Sequence, residues 1–292
     1  MKTIIQLSKR HLLMFFRNKS EVFFSFLSVL IVLALYVFFL GDMTINNVKS
    51  IIGQDVEGVD ALINAWLFAG LTAIATMTLS IGSLTRMVID KQRKVFHDFL
   101  VSPIKRHELF MSYIVATLFV VMMISIVVLI IGQGVLVTSG GAWFSVAQWF
   151  KILGLLILTA LSSTMMMLFV ISFIETESVL SFLATIVGTL IGFVTGAYLP
   201  LGILPVGVQI FSNLLPVSHG AALLRQALME PSFDIVFGGA PEQVVLNYKQ
   251  FQGVDLYINE FRLTEPMMLG FLIGTTVLFI ILNVYRFKKM KT

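Results

Sequence analysis

The sequence contains no cysteine, which excludes a disulfide framework, a thiolate nucleophile and a cysteine-ligated metal. Charge is almost as scarce. Charged residues make up 12% of the chain and hydrophobic residues 58%, against roughly 25% charged in ordinary soluble domains. There is no Gly-x-x-x-x-Gly-Lys-Ser/Thr phosphate loop, so any uphill work must draw its energy from another polypeptide. No Gly-x-Ser-x-Gly elbow or intramembrane acid pair is present, and the four histidines, His11, His97, His107 and His219, share no ligand spacing. These absences predict neither an enzyme nor a metal site. The net charge of +4 is not a nucleic-acid signal either, because the basic residues stand between apolar runs.

Long uncharged runs dominate what is present. At roughly 20 residues per crossing, they predict spans at 22–41, 61–85, 109–137, 152–174, 178–198 and 266–285. The first run is too long for the apolar part of a signal peptide and lacks a small-x-small cleavage site, so it reads as a retained anchor. Residues 1–20 read as an interfacial helix, with Gln6, Lys9, Arg10 and Arg17 opposite Ile4, Ile5, Leu12, Phe15 and Phe16. The run from Glu177 to Arg225 could hold two crossings, but Pro200, Pro205 and Pro216 divide its second half. The lysines and arginines of the N-terminus, the central loop and the tail belong on one side, which requires an even number of spans. Residues 199–225 are therefore expected to dip into the membrane and return to the outer face. The following segment carries Glu230, Asp234, Glu242, Asp255, Glu260 and Glu265 against Lys249 and Arg262, which suits an exterior loop. The expected fold is a single all-α integral membrane domain over 1–292, with six transmembrane helices.

Between the second and third runs lies Asp90 to Pro103. On a helix, Gln92, Val95, Phe96, Phe99 and Leu100 share one sector, and Asp90, Lys91, Arg93, Lys94, His97 and Asp98 fill the other. Pro103 ends it. Such a helix can receive force from a soluble partner, or can simply lie on anionic lipid. Gly188, Gly192 and Gly196 form a small-residue ridge for close helix approach, within the chain or to a second protomer. Ser80, Thr159, Ser162 and Ser163 read as helix-packing donors. Trp66, Trp143 and Trp149 read as an interfacial belt.

The layout resembles the ABC-2 type exporter permeases. The local match runs over Val88-Ile-Asp-Lys-Gln-Arg93 and Phe99-Leu-Val-Ser-Pro-Ile-Lys-Arg106. Tyr198-Leu-Pro-Leu-Gly and Leu214-Leu-Pro-Val-Ser-His219 are similar to the proline-marked outer hairpin of that family. Lys94 and Val95 stand where members usually have Gly-Thr. The resemblance implies a permease subunit in the cell membrane with both termini cytoplasmic. It would join a second permease, identical or sister, and two copies of an ATP-binding subunit. Asp90, Arg93, Phe96, His97, Phe99 and Leu100 would lie on the coupling helix, and the first helix, with Lys9, Arg10, Phe15, Phe16 and Arg17, would help to clamp it. ATP and Mg would be held by the partner, with no cofactor on this chain. The cargo would be an amphipathic drug, lipid, peptide or glycolipid moved outward. The alternative is a membrane immunity or sensor protein that binds a ligand through its outer loops. An ion-coupled carrier is disfavoured by the charge-poor spans.

Overall fold

A computed structural model of the chain describes residues 2–20, 22, 23, 27, 31, 58–95, 98, 104–258 and 261–289. Most of the expected first span, and Phe96, His97, Phe99 and Leu100, lie outside the described residues. The described helices are α1 (Lys2–Arg17), α2 (Val59–Gln92), α3 (Arg106–Thr138), α4 (Val146–Ile171), α5 (Glu177–Val194), α6 (Val206–Asn213), α7 (Pro216–Phe237), α8 (Glu242–Phe251) and α9 (Glu265–Lys289). A 3-10 turn at Leu201–Ile203 precedes α6, and a two-residue antiparallel hairpin, β1 (Tyr257–Ile258) and β2 (Phe261–Arg262), precedes α9. Five of these helices, α2, α3, α4, α5 and α9, are long and apolar enough to cross a membrane.

The bundle is built around α2. Its sequence places Ala61, Ala65, Ala69, Gly70, Ala73 and Ala75 along a helix that is buried almost throughout. Small side chains let neighbouring backbones approach closely. A Cβ added at Gly70 would come within 2.7 Å of Ala197 Cβ, so that position has no room for one. Buried hydroxyl pairs join the helices. Thr76 meets Ser163 at 3.0 Å, Ser80 meets Thr164 at 3.0 Å, and Thr117 donates to Ser83 at 3.1 Å. Ser163 therefore serves as a packing donor to Thr76, whose own hydroxyl is given to Ala73 O, whereas Ser80 donates to Thr76 O of its own helix and accepts from Thr164. Thr159 instead donates to Leu155 O of its own helix, with Gly220 seated against its side chain.

Helix limits follow local chemistry. Ser145 and Gln148 cap α4 reciprocally, at 3.3 and 2.8 Å. Gly132 and Gly134 stay helical, and Gly132 lets the ring of Phe68 pack directly on α3. Helix α5 stops at Val194, before the expected limit of 198, because Gly196 turns the chain with φ +67°.

Pro200, Pro205 and Pro216 each stand at a helix start, where a missing N–H leaves no hydrogen bond unmade. Helix α7 begins against the middle of α4, where Gly220 meets Thr159, and ends beside the first turn of α2, where Ile235 and Val236 face Gly58. Helix α7 thus packs along α2 toward its N-terminal end.

The glycine ridge is a correction. Gly192 is covered by the ring of Tyr198 from its own turn, and Tyr198 donates to Gly188 O at 3.2 Å. Gly196 lies beyond the helix altogether. The glycines admit a local fold-back instead of forming a continuous interhelical ridge. Trp66 also departs from expectation. It is buried, with its Nε1 donating to Gln252 O at 2.7 Å, while Trp143 is exposed and Trp149 packs edge-on against Phe144.

Candidate functional site

Helix α2 does not end where the uncharged run ends. It continues for seven residues past 85, so Asp90, Lys91 and Gln92 form its last turn instead of opening a separate helix. The break falls at Arg93 and Lys94, and Lys94 takes a left-handed φ of +59°. A left-handed backbone favours glycine, so the family's usual Gly at this position has a physical reason that Lys94 lacks.

The three side chains of that last turn reach different neighbours. Asp90, expected on an exposed docking face, is fully buried. Its carboxylate accepts from Arg10 of α1 at 3.0 Å, from Arg86 one turn earlier at 2.9 Å, and from the Tyr113 hydroxyl of α3 at 2.8 Å. Lys91 Nζ donates to Ser172 O at 2.9 Å, just beyond α4. Gln92 Oε1 accepts from the Glu177 N–H at 3.0 Å, completing the N-terminus of α5. A displacement of this turn is therefore felt by α1, α3, α4 and α5 together.

Helix α1 docks on α3 through Leu7, Ser8, His11 and Phe15. Ser8 donates to Ser112 O at 3.1 Å, and His11 Nε2 lies 3.1 Å from Ser112 Oγ. The imidazole stacks on Tyr113 with ring centres 4.0 Å apart. Burial, reinforced by the neighbouring Arg10 charge, lowers the His11 pKa from 6.5 to about 4. Arg10 was expected on a solvent stripe and instead turns toward Asp90. Lys9, Phe16 and Arg17 are exposed, Phe15 is buried, and Arg93 is exposed at the break. The structure thus brings Asp90 and Arg10 together and leaves Arg93 apart.

At the other end of α2 stands Arg225, which in the sequence marks only the end of an uncharged stretch. It lies inside α7 with no exposed surface. Its two terminal nitrogens donate to Gly253 O at 3.1 Å and Gly196 O at 2.9 Å, and its guanidinium sits 5.1 Å from the centre of the Trp66 ring. Gln226 donates to Asp255 at 2.8 Å and to Val254 O at 3.1 Å, and Arg262 pairs with Asp255 at 2.8 Å. These contacts fasten the segment after α8 onto α7. The available signal was a single arginine between Val217–Leu224 and Ala227–Met229, where a charge demands partners. Among the described residues, no three His, Cys, Asp or Glu side chains gather as metal ligands.

Five apolar helices, each long enough to cross a membrane and charged mainly at their ends, mark a multi-pass membrane protein. The chain matches the ABC-2 type transporter family from residue 2 to residue 229, well over half its length, and belongs to that family. It is a membrane permease component of an ABC transporter, a class that normally pairs with an ATP-binding subunit and is generally non-catalytic itself. No curated protein matches the chain significantly.

Proposed function

We propose that this chain is the membrane-crossing subunit of an ATP-driven exporter, with ATP hydrolysed on a separate polypeptide seated against the loop after α2. The observation that carries this reading is the last turn of α2, where Asp90, Lys91 and Gln92 reach four neighbouring helices from one point. Force applied to the adjoining loop passes to that turn and is shared by the bundle. We assign the contact with the ATPase to the apolar side chains of Phe96 and Phe99 in that loop, together with Arg93, His97 and Leu100. Helix α1 braces the turn from the side. The basic end faces the cytoplasm, so both termini lie inside, and the proline-divided segment with α8 lies toward the outer face. A second permease and two ATP-binding subunits complete the assembly. The cargo is amphipathic and moves outward.

The test uses the assembled complex and needs no known cargo. A cysteine at Gly207, where an added side chain meets open space, is labelled from outside with and without ATP. ATP should change its labelling rate in the parent background and leave it unchanged in Phe99→Asp. An ATP response that survives Phe99→Asp in a stably inserted chain contradicts the coupling role.

A further inference from the structure

The face of the bundle formed by α3, α4 and α9 carries a cavity of about 720 Å³ that neither the coupling turn nor the outer segment uses. Its lining is chemically polarised. Arg106 and His107 stand at the start of α3 and Lys288 at the end of α9, so three basic side chains meet at one end. No acidic residue is among the described residues that line it. The remainder is almost wholly apolar and includes the stacked rings of Phe110 and Phe287, 3.6 Å apart, near the basic end.

The dimensions match one leaflet. From Arg106 to Leu118 the α3 wall runs about 18 Å, and from Lys288 to Ile280 the α9 wall runs about 12 Å, at roughly 1.5 Å per residue. The hydrocarbon of one leaflet is about 15 Å deep, half of a roughly 30 Å core. A cavity that is cationic at the helix ends and apolar for one leaflet's depth matches a molecule with an anionic head and long acyl chains. Its walls are already fixed. Asn283 in α9 donates to Met165 O in α4 at 2.9 Å, tying the two helices within the cavity wall.

We propose that this cavity binds one anionic phospholipid from the leaflet at the basic end of the bundle. Its phosphate lies among Arg106, His107 and Lys288, and its acyl chains lie along Val115, Leu118 and Ile280. This inference stands apart from the exporter reading. It needs only that the chain spans a membrane with these helix ends at one surface. A lipid held there links the first turn of α3 to the last turn of α9, so its loss loosens the end of the bundle where α3 also meets α1 and Asp90.

The experiment places the full chain, with any subunit that accompanies it, in nanodiscs of phosphatidylcholine and phosphatidylglycerol. Retained lipid is counted by native mass spectrometry after gentle release. The unsubstituted chain should keep one phosphatidylglycerol, favoured about tenfold over phosphatidylcholine at equal mole fraction. Lys288→Glu should erase that preference, and Lys288→Gln should reduce it about threefold. Lys289→Glu, one residue on but outside the lining, should leave it unchanged. Val115→Trp fills the cavity from an exposed position and should abolish retention of both lipids, whereas Ile131→Trp, exposed farther along α3, should not. Equal retention of the two lipids by the parent chain overturns the proposal, as does identical behaviour of the Lys288→Glu and Lys289→Glu chains. Complete displacement by inorganic phosphate would show an anion site without lipid selectivity and would also overturn it. Stability is read on the same particles, and the exposed Lys288→Gln variant keeps the test decisive if Val115→Trp fails to insert.

Discussion

Replacing Asp90 with asparagine keeps the shape of the side chain and removes the charge that holds α1. In the folded chain this carboxylate accepts from Arg10, Arg86 and Tyr113 at 3.0, 2.9 and 2.8 Å. The share that acts on α1 is the Arg10 contact. A hydrogen bond to a charged group contributes about 1.5–3 kcal/mol, so the α1 docking equilibrium should shift by about 10- to 150-fold. The rest of the loss falls on Arg86, which remains largely buried beside a neutral amide and lowers overall stability further. The native lack of cysteine supplies the assay. Ser8 lies on the buried face of α1 against Ser112 of α3, so Ser8→Cys should resist a maleimide in the parent chain and react about 10- to 150-fold faster with Asp90→Asn, in line with the shifted equilibrium. Arg10→Gln should produce a similar acceleration. The double variant should add little beyond either single change, because both remove the same contact. An unchanged Ser8→Cys rate in Asp90→Asn, or full additivity of the two changes, would refute the claim that the Arg10–Asp90 contact holds α1 in place.

Four further outcomes follow from particular residues. Lys94→Gly should raise the melting temperature, since a side chain at φ +59° costs about 1 kcal/mol that glycine avoids; a fall on melting would contradict that backbone assignment. Docking of α1 should weaken as pH falls. The free His11 takes a proton near 6.5, while the docked ring, held at about 4 by burial and by Arg10 against the opposing pull of Asp90, does not. Stability tied to this ring is therefore present above pH 6.5, is lost progressively toward pH 4 and amounts to about 3 kcal/mol, which Ser8→Cys labelling across that range checks. Arg225→Met should free the segment after α8 by removing the donors to Gly253 and Gly196, seen as faster proteolysis between 238 and 264; unchanged cleavage would deny the clamp. Cysteines at Gly207 and Asn247 should both label from outside, and labelling of either from inside would contradict the six-span topology.

What the sequence disclosed and what it hid have physical reasons. Uncharged runs located α2, α3, α4, α5 and α9 because a membrane helix needs an unbroken apolar length, and that length is a local property. The end of α2 was misplaced because Asp90 looks like surface when read alone. Its burial depends on Arg10, eighty residues earlier, and on Tyr113 across a loop. An i,i+4 pairing of Arg86 with Asp90 was the one local trace of it. The glycines at 188, 192 and 196 have the spacing of a packing ridge, yet the positive φ at Gly196 ends the helix and folds Tyr198 back over Gly192. Arg225 could be marked as costly from sequence, but its acceptors are backbone carbonyls of two distant turns, which no side-chain pattern encodes.

The central claim is that this permease is driven through the loop after α2 by a separate ATPase. The direct measurement is purification of the tagged chain in mild detergent from cells that make its neighbouring gene products, followed by an ATPase assay. The account predicts an ATP-binding subunit in fixed stoichiometry and hydrolysis in the purified complex, with both lost in a stably inserted Phe99→Asp chain. A chain that purifies alone while every neighbour is expressed, or a complex that persists through Phe99→Asp, would contradict it.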